Sequence, residues 1–312
     1  MYPSIDLDTT RVMNLLRTWL SRCVAKKGLI WLDEQKKQIA ERVTTQLFFT
    51  AFNIVPRHVG KKELELTLTD LKAASRLRTN WIPTCWSVEQ AARTLLVLAL
   101  PQNNVKTHLR TLEQAFTTAD LGELVALYQA LPLLPYPDQL CTRAAEGVRS
   151  NMTVVFNAIA LRNPYPAEYF EDLAWNQMIL KALFVGSPLH LIQGLDRRAN
   201  PELARMLLDY ARERWAAKRS VSPEVWRSVG KFADAAMLAD LERAITDPDP
   251  AQQAAAALAC SQCSLPQAQA LLARYPDLQA SIQAGTLTWA RLDPSFVTIE
   301  GRKTRETCTN SR

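Results

Sequence analysis

Glycine is scarce in this sequence. Only 9 of the 312 residues are glycine, whereas the average usage in proteins is about 7%. Glycine supplies the positive-φ turns and the phosphate-binding loops of nucleotide-binding α/β proteins. Neither a G-x-G-x-x-G motif nor a P-loop is present. The sequence therefore disfavours a nucleotide-binding α/β fold.

Motifs of known catalytic centres are also missing. The chain contains no G-x-S-x-G, no H-E-x-x-H and no D-D-x-x-D cluster. Cys260 and Cys263 form a lone C-x-x-C pair, but a structural zinc site needs two more ligands, and the histidines are distant in sequence. We therefore expect no metal site and no cofactor, and an enzyme is the less favoured interpretation.

Long apolar runs are absent as well. No stretch of about 18 apolar residues, the length that marks a membrane-spanning helix, occurs in the chain, so we expect no membrane insertion. The N-terminal sequence MYPSIDLDTTRV lacks the charged and then apolar order of a signal peptide. We therefore expect a cytoplasmic protein.

Basic residues are concentrated at the two ends of the chain. Residues 1–62 contain 11 Lys or Arg against 5 Asp or Glu, and residues 302–312 contain 4 against 1, whereas the remaining residues contain 22 against 25. A nucleic-acid-binding protein would place basic and aromatic residues together on the helices of its body. We therefore expect no nucleic-acid partner. Residues 301–312 are polar and are predicted to form a disordered tail.

Apolar residues return mostly at helical spacing, and signals for the start of a helix recur along the chain. The signals are capping boxes, or a capping side chain placed before a proline at the first helical position. They predict an all-α protein made of many short helices. We expect residues 1–300 to form a single elongated helical domain, with a candidate sub-boundary near residues 132–137. The start signals begin at Thr67, Ser87, Asn200, Ser222, Asp249 and Ser264.

The C-terminal part of the body contains the pattern of a helix pair. Residues 241–259 read LERAITDPDPAQQAAAALA, which is an apolar helix, an Asp-Pro linker and an Ala-rich helix that would pack back on the first. This order is typical of a HEAT-type repeat. No strict period extends through the chain, so we predict an irregular α-solenoid or helical bundle with HEAT-like helix pairs toward the C-terminus.

Residues 145–161, taken as one helix, carry a stripe of polar side chains. At about 100° per residue, Glu146, Arg149 and Asn157 fall on one face, while apolar residues lie opposite. Short polar residues such as Ser, Thr and Asn are poor helix formers and tend to be kept for specific hydrogen bonds. The stripe is therefore predicted to make internal polar contacts.

The next predicted helix, over residues 167–184, is apolar around its whole circumference, which is typical of a buried helix. Asp172 and Asn176 nevertheless share one of its faces. A buried polar group without a partner costs about 1–3 kcal/mol, so these side chains need partners. Arg149 and Glu146 on the preceding helix are the nearest candidates in sequence.

These polar residues form either a structural hydrogen-bonded network or the lining of a ligand pocket. The loop-rich stretch SPLHLIQGLDRRAN, which follows them, adds further candidates. His190 could act as a general base that Asp196 orients, although a histidine near apolar residues is more often simply hydrogen-bonded. The complete set of candidate site residues is Glu146, Arg149, Asn157, Asp172, Asn176, His190, Asp196 and Arg197.

Two long segments carry a family resemblance. They read PYPDQLCTRAAEGVRSNMTVVFNAIALRNPYPAEYFEDLAWNQMILKALFVG and GLDRRANPELARMLLDYARERWAAKRSVSPEVWR. The sequence resembles the EboA family, which is encoded in ebo gene clusters, and the resemblance extends from about Trp81 to Phe232. It implies a cytoplasmic protein made alongside a UbiA-like membrane prenyltransferase, a sugar-phosphate-cyclase-like enzyme and a TatD-like hydrolase. Such clusters are associated with making or exporting a small metabolite.

The resemblance brings no assigned reaction and no catalytic residue that could be transferred to this chain. The first hypothesis is therefore an accessory or scaffold protein of such a pathway, which binds a pathway enzyme or an intermediate. The alternative is an enzyme or a ligand carrier that uses a polar pocket between the central helices. In both cases the expected partners are other proteins of the same pathway or a small metabolite.

Overall fold

The computed structural model of the chain describes residues 7–41 and 45–292. This part contains eighteen α-helices and no β-strand, which confirms the all-α prediction. The tail predicted for residues 301–312 lies outside the described residues.

The chain divides into two compact units, and the boundary lies between Glu171 and Asp172. The single domain expected over residues 1–300 and the sub-boundary near residues 132–137 stay predictions. Each unit has its own buried core of apolar side chains.

The first unit is built from α-helices joined by short loops and 3-10 turns. Its α-helices are α1 (Thr9–Cys23), α2 (Lys26–Glu41), α3 (Thr45–Val59), α4 (Leu68–Leu77), α5 (Val88–Leu98), α6 (Val105–Thr118), α7 (Leu121–Ala130), α8 (Cys141–Arg149), α9 (Thr153–Ala160) and α10 (Tyr165–Tyr169).

The core of the first unit lies around α5, whose residues 91–98 are all buried. The predicted capping box starts this helix: the Ser87 hydroxyl oxygen accepts a hydrogen bond from the backbone N of Gln90, and the Gln90 side chain accepts one from the backbone N of Ser87. A capping box satisfies two backbone donors at once. Helices α1, α2, α3 and α7 pack around α5.

The second unit is also helical throughout its described part. Its α-helices are α11 (Asp172–Val185), α12 (Pro201–Ala216), α13 (Val225–Val229), α14 (Leu238–Ile245), α15 (Pro250–Gln262), α16 (Pro266–Ala273), α17 (Pro276–Gln283) and α18 (Trp289–Leu292).

Helix α15 is the central helix of the second unit, and its residues 254–260 are all buried. As predicted, Asp249 caps it by accepting a hydrogen bond from the backbone N of Ala251 at 2.9 Å. Helix α14 packs against α15, so the helix pair expected in residues 241–259 is present. The wider HEAT-like and solenoid arrangement stays a prediction.

Two of the predicted helix starts are wrong. Ser264 does not cap α16, because Leu265 occupies the cap position and makes no side-chain hydrogen bond there. Ser222 does not start α13, which begins at Val225. The Ser222 hydroxyl oxygen instead accepts a long hydrogen bond, 3.4 Å, from the backbone N of Glu224. A serine side chain can stabilise a turn as well as a helix, so the sequence signal is ambiguous.

Residues 145–161 do not form the one helix that was predicted. Helix α8 ends at Arg149, and α9 begins at Thr153. The Ser150 hydroxyl oxygen accepts a hydrogen bond from the backbone N of Met152 at 3.2 Å. Such a local bond offers the backbone an alternative to the helical pattern. The predicted polar stripe is therefore divided between two helices.

Residues 167–184 are also divided, and the predicted burial is incomplete. Helix α10 ends at Tyr169, and α11 begins at Asp172. On α11, Leu173 is 67% exposed and Phe184 is 64% exposed. Single apolar side chains often stay on protein surfaces, so apolar residues all round a helix do not guarantee burial. The expectation that the whole circumference is buried is wrong for this face.

Two of the few glycines lie where packed elements touch. A Cβ atom on Gly147 would lie 2.4 Å from the ring of Tyr128, and one on Gly230 would lie 2.5 Å from the carbonyl oxygen of Ala259. Both distances are too short for van der Waals contact. The absence of a side chain therefore lets α8 approach α7 and lets the turn after α13 approach α15.

Candidate functional site

His190 lies in a 3-10 turn, Leu189–Leu191, between α11 and α12. The turn is held by the carboxylate of Glu224, which accepts hydrogen bonds from the backbone N of Leu189 at 3.0 Å and of His190 at 2.6 Å. The same carboxylate lies 3.2 Å from Nδ1 of the His190 ring. One acidic side chain therefore fixes both the backbone and the ring of His190.

The contact with Glu224 also sets the tautomer of His190. An ionised carboxylate only accepts hydrogen bonds, so Nδ1 carries the proton that faces it. In a neutral ring, the Nε2 atom is then a hydrogen-bond acceptor. A carboxylate that orients an imidazole in this way suits a general base or a fixed hydrogen-bonding group.

A second charged pair lies beside this one. Arg227 donates two hydrogen bonds to Asp196, at 2.6 Å and 2.7 Å, in the bidentate geometry that arginine favours with carboxylates. Asp196 was predicted to orient His190, but the structure gives that position to Glu224 and places Asp196 on Arg227.

These side chains border a small cleft with a cavity volume of about 30 Å³, which is far below the range for small-molecule pockets, so only a small part of a ligand could enter it. Among the described residues that line it, three are charged or polar and three are apolar or aromatic. The lining residues are His190, Pro223, Glu224, Arg227, Trp289 and Leu292.

The polar residues predicted on α11 form hydrogen bonds with other residues of the second unit. The Asn176 side chain is 1% exposed and exchanges hydrogen bonds with the side chain of Asn200, at 3.1 Å and 2.9 Å. Asp172 accepts a hydrogen bond from Arg198 at 2.9 Å. The sequence suggested Glu146 and Arg149 as partners because they are near in the chain, but the observed partners are Asn200 and Arg198.

Asn200 has a second task, because its side-chain oxygen accepts a hydrogen bond from the backbone N of Leu203 at 2.8 Å and so caps α12. The amide pair therefore ties α11 to the start of α12. This contact has the character of a structural network, which is one of the two interpretations that the sequence left open.

The remaining candidates differ in position. In the first unit, Glu146 is half exposed and forms an ion pair with Arg143 at 2.9 Å. Arg149 is exposed at the end of α8, and Asn157 is half-buried on α9. In the second unit, Arg197 is exposed. Of the candidate residues, Glu146 and His190 each line a cleft of their own unit.

The cleft beside Glu146 is larger, with a cavity volume of about 320 Å³. It lies along α6 and α8, and Arg143 on its wall also pairs with Glu113. The carboxylate-bearing side chains are 56% exposed at Glu113 and 49% exposed at Glu146. This cleft is lined by Leu109, Glu113, Gln139, Leu140, Thr142, Arg143 and Glu146.

The lone C-x-x-C pair has no sign of reactivity. Cys260 and Cys263 are free and buried, and burial, together with the neighbouring Cys263, raises the pKa of the Cys260 thiol to about 12. A thiol that stays protonated is a poor nucleophile and a poor metal ligand. Among the described residues, no group of three or more His, Cys, Asp or Glu side chains is arranged to hold a metal ion.

Sequence reasoning missed Glu224 and Arg227. The segment Ser222-Pro223-Glu224 was interpreted as the start of a helix, and Glu224 lies 34 positions from His190 in the chain. No spacing rule connects residues at that distance. The sequence signal that could have singled out Glu224 is its place directly after a proline turn, which is weak.

A comparison with known families identifies the chain. The family model described as metabolite traffic protein EboA matches residues 12–230, which is more than two thirds of the sequence. The chain belongs to the EboA family. No curated protein and no solved structure is significantly similar to it.

The EboA match includes four residues of the cleft region: His190, Asp196, Glu224 and Arg227. It ends before Trp289 and Leu292, which complete the lining. The two charged pairs of the cleft thus belong to the family part of the chain, while part of its apolar wall does not.

No helix in residues 7–41 or 45–292 is both long enough and apolar enough to cross a membrane.

Proposed function

We propose that this EboA-family protein is an accessory protein of a small-metabolite pathway and that it binds a pathway intermediate in the cleft at His190. The family description, metabolite traffic, supports a role in handling a small molecule. The observation that carries the proposal is the fixed geometry of His190, whose ring and backbone are both held by Glu224. A preorganised polar group beside apolar walls is what a specific small-molecule site requires.

Binding fits the lining better than catalysis does. Among the described residues that line the cleft, none is a serine, threonine, cysteine or lysine that could attack a substrate. The charged side chains are engaged with one another in two pairs. Such an arrangement holds a ligand in place without forming a covalent intermediate.

We place the protein in the cytoplasm and in secondary metabolism, with other proteins of the same pathway as its partners. We also propose that the helices of the second unit stack in the HEAT-like manner predicted from the sequence and that their outer surface binds such a protein, since stacked helix pairs are suited to binding extended partners. In this role the protein would hold the intermediate and present it to a pathway enzyme.

Native mass spectrometry tests the proposal. The wild-type protein, purified gently from its own host, is expected to carry a reproducible small-molecule adduct. Glu224→Gln replaces the charge-assisted hydrogen bonds to His190 by weaker neutral ones and is expected to lower the occupancy of the adduct about tenfold. Glu202→Gln is the matched control, because Glu202 pairs with Arg205 on the exposed surface of α12 and its loss should change nothing.

Two results would contradict the proposal. If the wild-type protein carries no small molecule, or carries only a protein partner, the cleft is not the ligand-binding site that we propose. An adduct that persists unchanged in the Glu224→Gln variant would place the molecule elsewhere on the chain.

The pairing of His190 with Glu224 also favours a second candidate function, in which His190 is a general base. The variant His190→Gln separates the two functions. In a carrier, the adduct of the variant has the same mass as that of the wild type and a lower occupancy. In an enzyme, the variant accumulates unreacted substrate, so the mass of its adduct differs.

A further inference from the structure

We propose that the first unit binds the surface of an anionic membrane through a basic patch at the start of α2 and the end of α3. The basic patch is formed by residues 26–31 and 57–62, which read KKGLIW and RHVGKK. These two segments contain five Lys or Arg, one His and no Asp or Glu. The proposal concerns a second surface of the protein and does not depend on the cleft at His190.

Two contacts bring the segments of the basic patch together. The rings of Trp31 and His58 are stacked, with their centroids 3.9 Å apart and their planes inclined by 3°. A Cβ atom on Gly28 would lie 2.3 Å from the carbonyl oxygen of His58, so the absence of a side chain lets the two helices approach closely. The lysines that directly precede Gly28 and those that follow His58 therefore lie on one surface of the first unit.

The cations of the basic patch are available to a partner. All five Lys and Arg side chains are exposed, and none of them pairs with a carboxylate among the described residues. Lys26 and Lys27 lie in the first turn of α2, which has no acidic residue. The helix dipole is positive at this end and disfavours cations there. A negatively charged surface would relieve this repulsion, so the basic patch is complementary to one.

Apolar side chains lie among these cations. Ile30 is 49% exposed and follows Lys26 by four positions, which places both on one face of α2. Trp31 is half-buried beside them. Proteins that bind a membrane surface combine attraction to anionic headgroups with burial of apolar side chains, and Trp is enriched at this interface. Such binding needs no membrane-spanning helix.

A nucleic acid is the competing anionic partner, and the basic patch fits it less well. Proteins that bind single strands stack bases on their aromatic side chains, but His58 already covers one face of Trp31. The exposed side chain of Ile30 offers no hydrogen bond to a phosphate or a base edge, whereas it can enter the apolar part of a lipid layer. The apolar component of the basic patch therefore favours a membrane.

Flotation of the full chain with lipid vesicles tests the proposal. We expect the chain to bind phosphatidylcholine vesicles that contain about 30% phosphatidylglycerol and to bind pure phosphatidylcholine vesicles at least about tenfold more weakly. Raising the NaCl concentration from about 0.1 M to about 0.5 M should release the bound chain, because salt screens the attraction. Equal binding to the two kinds of vesicle, or binding to neither, overturns the proposal.

A double variant tests the position of the surface. Lys61→Gln combined with Lys62→Gln is expected to lower the partition coefficient on the anionic vesicles about 25-fold, since each lysine near such a surface contributes about fivefold. The control combines Lys106→Gln with Arg110→Gln, which removes the same charge from exposed positions on α6 and should have a far smaller effect. An equal loss in the control would mean that the net charge of the chain, and not the basic patch, drives binding.

The variant Ile30→Ser separates a membrane from a nucleic acid. It removes the exposed apolar side chain and keeps every charge, so the partition coefficient on the anionic vesicles is expected to fall about fivefold. The affinity for a duplex DNA fragment should not change. Wild-type vesicle binding by Ile30→Ser, or tighter binding of the wild-type chain to the DNA than to the vesicles, would contradict the assignment of the basic patch to a membrane.

Discussion

His108 in the first unit and His190 in the second each present Nδ1 to an oxygen atom of the protein, but their surroundings differ. His108 is 3% exposed, and its Nδ1 lies 3.1 Å from the carbonyl oxygen of Pro101. Its Nε2 atom is buried and has no hydrogen-bond partner among the described residues. His190 is half-buried at the wall of a cleft, and its partner is a carboxylate.

The difference shows what separates a structural histidine from a candidate functional one. Burial lowers the pKa of His108, and the bond to the Pro101 carbonyl only partly opposes this effect, so the ring is kept neutral inside the core. His190 instead lies beside a charged carboxylate, at the wall of a small cleft. Both residues are histidines, but their different surroundings decide which of them is a candidate for a functional role.

Burial also distinguishes two ion pairs, one in each unit. Breaking the buried pair is expected to have the largest effect on stability. In the first unit, Arg78 is 2% exposed and its guanidinium bonds Glu168, the carbonyl of Pro132 and the carbonyl of Thr79. Glu168→Ala would leave this cation buried without its counter-ion. We expect a loss of about 3–5 kcal/mol in the free energy of unfolding, measured by urea denaturation.

Asp196→Ala in the second unit is the matched comparison, because it also removes the carboxylate from an Arg–carboxylate pair. Asp196 is 61% exposed, so the expected loss is about 0–1 kcal/mol. Similar losses for the two variants would mean that burial does not distinguish the ion pairs of the two units.

The amide pair of the second unit predicts an intermediate effect. Asn176→Ala removes a side chain that is 1% exposed and leaves the half-buried side chain of Asn200 without its partner on α11. We expect a loss of about 1–3 kcal/mol in the free energy of unfolding. Gln177→Ala on the same helix is the control, because Gln177 is exposed. An Asn176 variant as stable as the control would exclude the pair as a structural tie.

The local features of this fold were accessible from the sequence because helix caps depend on neighbours within three residues. The capping box at Ser87 and the cap at Asp249 form as predicted. The break at Ser150 was missed, since a serine side chain can support a helix or compete with it. Which of these outcomes occurs depends on the packing of the surrounding helices, which a local sequence pattern does not encode.

The site was less accessible than the fold. Sequence reasoning singled out His190 and Asp196 as polar residues of a loop-rich stretch, but their partners Glu224 and Arg227 are supplied by the start of α13. Contacts over some 30 positions depend on how α12 folds back, and no local pattern encodes them. Sequence reasoning therefore found one half of each charged pair.

A pH experiment sharpens the comparison between the two histidines. The pKa of His108 is lower in the folded protein than its ordinary value of 6.5, so below about pH 6.5 the unfolded chain binds a proton that the folded chain does not. Stability is therefore complete above about pH 6.5 and falls as the pH is lowered below that value. The midpoint of urea unfolding at about pH 7.5 and about pH 5.5 measures the decline.

His108→Gln is expected to reduce this decline, because glutamine does not titrate. His190→Gln, the matched variant of the second unit, should retain the part of the decline that comes from His108. An undiminished pH dependence in His108→Gln would show that other groups carry it.

The smallest effect is expected at the cleft of the first unit. Glu146 is 49% exposed, and its partner Arg143 also pairs with Glu113, so Glu146→Gln removes one of two carboxylates from an open, solvated cluster. Such exposed pairs contribute about 0–1 kcal/mol, and nothing in this cleft is fixed as the Glu224 carboxylate fixes His190. We therefore expect Glu146→Gln to leave both the unfolding midpoint and the occupancy of the native adduct unchanged, whereas Glu224→Gln lowers that occupancy. If native mass spectrometry showed the reverse order, the wide, solvated cleft would be the binding site, and rigidity would be the wrong criterion for choosing between the two.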